Sequence, residues 1–111
     1  MRADSIVYNQ FIFIPNNPMV ALLNSSQIQE LSSQVPDWKV EGKHLKIVKI
    51  FKDFIEAIAF VNKLVEPAET AGHHPDLEIS YNKLTISLTS HDAGGLTEKD
   101  FALAQQISAL F

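Results

Sequence analysis

Cysteine is absent from all 111 residues, which excludes disulfides, thiolate metal sites and cysteine nucleophiles. No apolar run approaches the roughly 20 residues that a membrane-spanning helix needs. The N-terminus lacks the basic start and small-residue cleavage site of a secretory signal. Basic runs are missing as well. With 9 Lys and Arg against 13 Asp and Glu, the formal net charge is −4, which argues against direct nucleic-acid binding. There is no low-complexity tract and no linker. These absences lead us to expect a soluble protein of a reducing compartment, the cytoplasm, without membrane or nucleic-acid contact.

What is present fits one folded domain. Hydrophobic residues make up 46% of a 12.4 kDa chain, too many for a disordered one. A single modest core is the result, to which oligomerisation would add burial. Residues 1–23 stand apart: IVYNQFIFIP is a β-prone run ended by Pro15, and NNPM follows as a turn signal. We read 1–23 as an N-terminal extension, an edge strand or arm, and 24–111 as the domain.

Within 24–111 the periodicity switches regularly. NSSQIQELSSQV carries Ile28, Leu31 and Val35 at helical spacing, with Ser25 or Ser26 as N-cap and Pro36 as the stop. DWKVEGKHLKIVKIFK reads as a hairpin turning at Glu41-Gly42-Lys43. A helix over about 53–71 follows, with Asp53 as N-cap, Pro67 disturbing it and Gly72 as C-cap. Leu77, Ile79 and Tyr81, then Leu84, Ile86 and Leu88, alternate with polar residues on two strands around Asn82-Lys83. TEKDFALAQQISALF, opening at Thr97, is an amphipathic closing helix. Strands joined by short turns pair antiparallel. The expected fold is α+β: a four-stranded antiparallel sheet with helices packed on one face, built as two β-β-α halves after an initial helix.

The stretch AETAGHHPDL carries the chemistry to be explained. Histidine is the side chain that trades protons near neutral pH. His73 and His74 end the second helix, and His91 follows the strand KLTISLTS, sharing the off-core face with Thr85, Ser87 and Thr89. Hairpin geometry returns His91 to the neighbourhood of His73 and His74, with Glu69 one turn back along the helix. A bland reading competes: a histidine at a helix C-terminus favours the helix dipole, and a lone His91 is an ordinary surface residue. Zinc is the sharper rival, but adjacent residues aim their rings apart, against a shared metal. His44 is expected to face solvent, and Trp38 and Phe51 to line the core or a cleft.

The run from Ala68 to Ile107 resembles the signature of the pterin-4a-carbinolamine dehydratases. It supplies Glu69, His73-His74-Pro75, Tyr81-Asn82, Ser90-His91, Gly95-Leu96-Thr97 and Asp100 in order. The tryptophan-led hairpin and first long helix upstream extend the likeness to residues 24–111. Leu77 departs from it, standing where many members have an aromatic. The resemblance implies a hydro-lyase that converts 4a-hydroxytetrahydropterin to quinonoid dihydropterin in tetrahydropterin recycling, with no metal or redox cofactor. It implies His73 and His91 as protonating acids, His74 as a binding and orienting residue, and Glu69 as tautomer-setter or proton acceptor. Pro75 would shape the binding segment, and Asp100 would bind substrate or support a histidine. The implied partners are the pterin and further copies of the chain, in a homodimer or homotetramer. The family also implies an alternative: a non-catalytic binding module, or a dimerisation cofactor of a transcription factor.

Overall fold

The computed structural model describes residues 21–111, so nearly all of the expected N-terminal extension lies outside the described residues. The first turn of a helix has backbone N–H groups without partners, and each long helix here begins where a side chain supplies one. In α1 (Ser25–Ser32) the cap is Asn24 and not Ser25 or Ser26. Asn24 Oδ1 accepts from the Gln27 N–H at 2.8 Å, and Gln27 Oε1 accepts from the Asn24 N–H at 2.9 Å. That reciprocal pair satisfies two donors, which a serine one residue later would not do with its own third neighbour, Ile28. The helix ends at Ser32, before Pro36 is reached.

A hairpin follows, of β1 (Lys39–Glu41) and β2 (His44–Ile50). Its turn uses Gly42 at φ +60°, a left-handed conformation that costs glycine nothing. Asp53 caps α2 (Phe54–Lys63) by accepting from the Glu56 N–H at 2.9 Å. The single helix expected over 53–71 is two: α3 (Val65–Ala71) restarts after a break at Leu64. Pro67 accounts for the break. It has no N–H for the Lys63 carbonyl four residues back, and its ring crowds that carbonyl. Placed in the first turn of α3, the missing N–H leaves nothing unpaired. The chain then runs through β3 (Asp76–Ser80), β4 (Lys83–Leu88) and α4 (Glu98–Ser108).

The sheet order is β1-β2-β4-β3 with every neighbouring pair antiparallel. This is the α+β architecture that the periodicity predicts. Leu45 lies opposite Leu88 and Ile47 opposite Ile86, and all four are buried. They meet Phe60, Leu64, Phe101, Leu103 and Ile107 from the helices in one core. Each fully buried aliphatic side chain contributes about 1.5–3 kcal/mol of transfer free energy. The buried indole of Trp38 joins the first hairpin to α4 by donating its Nε1–H to Ser108 Oγ at 2.8 Å. On the other sheet face Val48 and Ile50 stay 50% and 65% exposed.

β3 departs from expectation. Leu77 and Ile79 lie opposite Ile86 and Leu84 and so face the helix side, yet they remain 40% and 37% exposed. The strand is at the sheet edge, where cover is incomplete. At the other boundary, the Leu23 N–H donates to the Leu96 carbonyl at 3.0 Å and Leu23 packs against the core. The packing of the domain thus includes the last residue assigned to the extension.

Candidate active site

The His73-His74 pair is placed by the end of α3. Gly72 takes φ +62° there, and the His73 N–H donates to the Ala68 carbonyl at 3.1 Å. This closure fixes where the chain leaves the helix. Pro75 then keeps His74 out of helical backbone. The two rings diverge, as adjacent side chains do on extended chain. His73 turns inward, its side chain 12% exposed, with Nε2 at 2.6 Å from Asp100 Oδ1. His74 turns outward at 61% exposure, with Nε2 at 2.6 Å from Glu69 Oε2. An exposed pair of that kind adds little stability, so its interest is orientation.

His91 is placed from the other side. The alternation of β4 stops at Leu88, so the off-core row expected to run through Thr89 to His91 is interrupted. Thr89 is buried and donates its hydroxyl to the Lys43 carbonyl at 2.6 Å. Ser90 and Gly95 exchange backbone hydrogen bonds at 3.0 and 3.3 Å, pinching off a small loop. The loop opens with the 3-10 turn His91–Ala93 and leaves His91 exposed. Gly95 lies close to Leu22: a Cβ there would sit 3.0 Å from Cδ2 of that exposed side chain, which would have to shift slightly.

Asp100 ties the two sides together. It is the third residue of α4, its side chain is wholly buried, and its carboxylate turns back toward the cap residue Thr97. Oδ1 meets His73; Oδ2 accepts from the Ser90 hydroxyl at 2.9 Å and from the Thr97 N–H at 2.9 Å. Asp76 lies opposite Ser87 at the open end of the β3–β4 ladder, with His73 shortly before one strand and Ser90 shortly after the other. Of the residues singled out from sequence, His73 and Asp100 are joined directly, and His91 follows the serine that shares the same carboxylate. Glu69 and His74 form a second, surface pair. Among the described residues no hydrogen bond links one histidine to another, and no group of three or more acidic or histidine side chains is placed to hold a metal ion. A groove of about 390 Å³ crosses the open sheet face between residues such as His44, Lys46, Asp76 and Ser87, and none of the candidate site residues lines it.

A carboxylate–imidazole pair such as His73–Asp100 can hold an imidazole to give or take a proton at a bound molecule. The family model for pterin 4 alpha carbinolamine dehydratase matches residues 21–110. The chain belongs to this family. A relative from Cyanothece sp., provisionally named a pterin-4-alpha-carbinolamine dehydratase, is 64% identical over 92 residues, spanning 83% of this chain and 95% of its own. One from Trichormus variabilis, named in the same way, is 61% identical over 92 residues, spanning 83% and 99%. Among solved structures, a transcriptional coactivator/pterin dehydratase from Brucella melitensis has a TM-score of 0.74 at 30% identity, over 79% of this chain and 96% of that one. A pterin dehydratase-like protein identified as a RuBisCO assembly factor in the alpha-carboxysome has a TM-score of 0.56 at 26% identity, over 67% and 88%. Within this pterin carbinolamine dehydratase fold, Thr97 was expected only to open the closing helix and Ser90 only to precede His91 in the motif. The available signal was the spacing Thr97-x-x-Asp100, which turns the Asp100 carboxylate back toward the loop that carries His91.

Proposed function

We propose that this chain is a 4a-hydroxytetrahydropterin dehydratase, a hydro-lyase that yields quinonoid dihydropterin and supports tetrahydropterin recycling. The observation that carries the reading is the 2.6 Å contact of His73 with a wholly buried carboxylate, whose other oxygen holds the residue before His91. Hydroxide is a poor leaving group and water a good one. An acid therefore protonates the 4a-hydroxyl as the C–O bond breaks, the N5 lone pair forms the C=N bond, and a base takes the N5 proton. One proton is given and one taken, with no change in oxidation state, so the balance needs neither metal nor redox partner. General acid–base help of this kind is worth about 10² to 10⁴ in rate, or about 3–5 kcal/mol.

His73 and His91 serve as the acids, on two sides of the pterin. His74 binds and orients the ring, with Glu69 setting its tautomer or accepting a proton, and Pro75 shaping that segment. Asp100 is buried with both oxygens engaged, which favours action through His73 over direct contact with substrate. The chain works in the cytoplasm as a homodimer or homotetramer. Apolar side chains left open on the sheet and on α2, among them Ile50 at 65% and Ile55 at 77% exposure, support self-association. No helix of the described residues is long and apolar enough to cross a membrane.

A second reading, a non-catalytic binding module or transcription-factor dimerisation cofactor, draws on two structural neighbours: one described as a coactivator as well as a dehydratase, the other as an assembly factor. Spectrophotometric dehydration of a synthetic 4a-hydroxytetrahydropterin separates the two. Turnover above the uncatalysed rate is expected; its absence would leave the binding module.

A further inference from the structure

Three buried side chains behind His73 form a hydrogen-bonded line whose direction can be worked out. Ser90, Thr97 and Asp100 are 8%, 0% and 0% exposed. Ser90 Oγ lies 2.9 Å from Asp100 Oδ2 and 2.7 Å from Thr97 Oγ1. A hydroxyl has one proton to donate, and an ionised carboxylate only accepts. The Ser90 proton therefore goes to Asp100, and Ser90 Oγ must accept from Thr97. Thr97 Oγ1 in turn accepts from the Lys99 N–H at 3.3 Å. The line runs from the first turn of α4 through Thr97 and Ser90 to Asp100, and the Thr97 N–H adds a second donor on Oδ2 at 2.9 Å. Two donors on Oδ2 fix the carboxylate with Oδ1 facing His73 Nε2. Against an oxygen that only accepts, Nε2 keeps its proton and Nδ1 is left as the ring atom that exchanges one. Among the described residues nothing is hydrogen-bonded to Nδ1.

We propose that Ser90 is a positioning residue: together with Thr97 it aims Asp100 and so holds His73 as the Nε2–H tautomer, making Nδ1 the working atom of the site. Without the serine donor only the Thr97 N–H remains on Oδ2, the aim of the carboxylate loosens, and the tautomer preference of His73 relaxes. Only the kinetic arm of the test rests on the dehydratase reading. Imidazole ¹⁵N shifts of the free protein, measured at alkaline pH where histidines are neutral, report the tautomer without any substrate.

The wild-type protein is expected to show His73 as Nε2–H, and Ser90→Ala to show both tautomers. In the pterin assay Ser90→Ala should lose about tenfold in kcat with little change in KM, as expected of a misaligned proton donor. Ser90→Thr, which keeps the hydroxyl, should recover the tautomer and most of the rate. Loss of packing alone would not move the tautomer. An Ser90→Ala protein that keeps Nε2–H and the wild-type kcat overturns the proposal while leaving the dehydratase reading intact. If the tautomer shifts as described but the wild-type protein turns over no pterin, the positioning role stands and the dehydratase reading fails. Should Ser90→Ala not fold, Ser90→Cys, close in size but a weak donor, carries the test: a partial shift and partial rate loss support the role, and an unchanged tautomer and kcat reject it.

Discussion

A carboxylate taken wholly out of water needs donors to replace its hydration. Asp100 has three: His73, Ser90 and the Thr97 backbone. Asp100→Asn keeps the shape but makes one end of the group a donor, which clashes either with Nε2–H of His73 or with the donors on Oδ2. Leaving a buried donor or acceptor unpaired costs about 1–3 kcal/mol. Asp100→Asn should therefore unfold at lower urea and lose at least an order of magnitude in kcat. An Asn variant with wild-type urea midpoint and kcat would remove Asp100 from the account. His74 has the opposite character, since its partner is an exposed carboxylate and its ring faces solvent. An orienting contact acts on ground and transition states alike, so His74→Ala should raise KM more than it lowers kcat. Steady-state kinetics showing the reverse would exchange the roles of His74 and His73. Residue type and hairpin register pointed from sequence to the two segments that Asp100 joins, His73 in one and Ser90, the residue before His91, in the other. The burial of Asp100 was not legible, because Thr97-x-x-Asp100 has a sufficient structural explanation as a capping box and periodicity says nothing about what lies behind it.

Among the elements, the β3–β4 turn gathers strain and support in two residues. Tyr81 sits at φ +55°, a left-handed conformation that is costly for a non-glycine residue. Asn82 holds the turn to the end of β2: its Nδ2 donates to the Phe51 carbonyl at 2.9 Å, and the Phe51 N–H donates to the Asn82 carbonyl at 2.8 Å. Asn82→Ala loses the side-chain bond and should cost about 1 kcal/mol, read from the shift in a urea midpoint at unchanged slope. No shift would mean that the turn is held by its backbone alone. The elements themselves were largely legible, because alternation and helical spacing are direct records of burial. The break at Leu64 was half visible: Pro67 announced trouble, but a proline acts on the carbonyl four residues earlier, so the helix stops before the residue that stops it. The edge position of β3 was invisible, since strand order leaves no trace in the periodicity of any one strand.

The sheet of the whole molecule has one face in the core and one that is not fully polar. Val48 and Ile50 are open to solvent on that second face, and Leu77 and Ile79 are half open at the edge. Light scattering at micromolar concentration should give a dimer or tetramer mass; a monomer mass would contradict self-association. His73 precedes and His91 follows the β3–β4 hairpin, and beyond the strand pairing Asp100 and Ser90 link the two sides. The most direct measurement is the rate of 4a-hydroxytetrahydropterin dehydration by the wild-type protein, by His73→Ala and His91→Ala, and by the double variant. Each single change should lower kcat by about tenfold or more, and the double change should cost far more than either alone, as for two alternative acids. Unimpaired turnover by a folded double variant would contradict the histidine acid–base account outright.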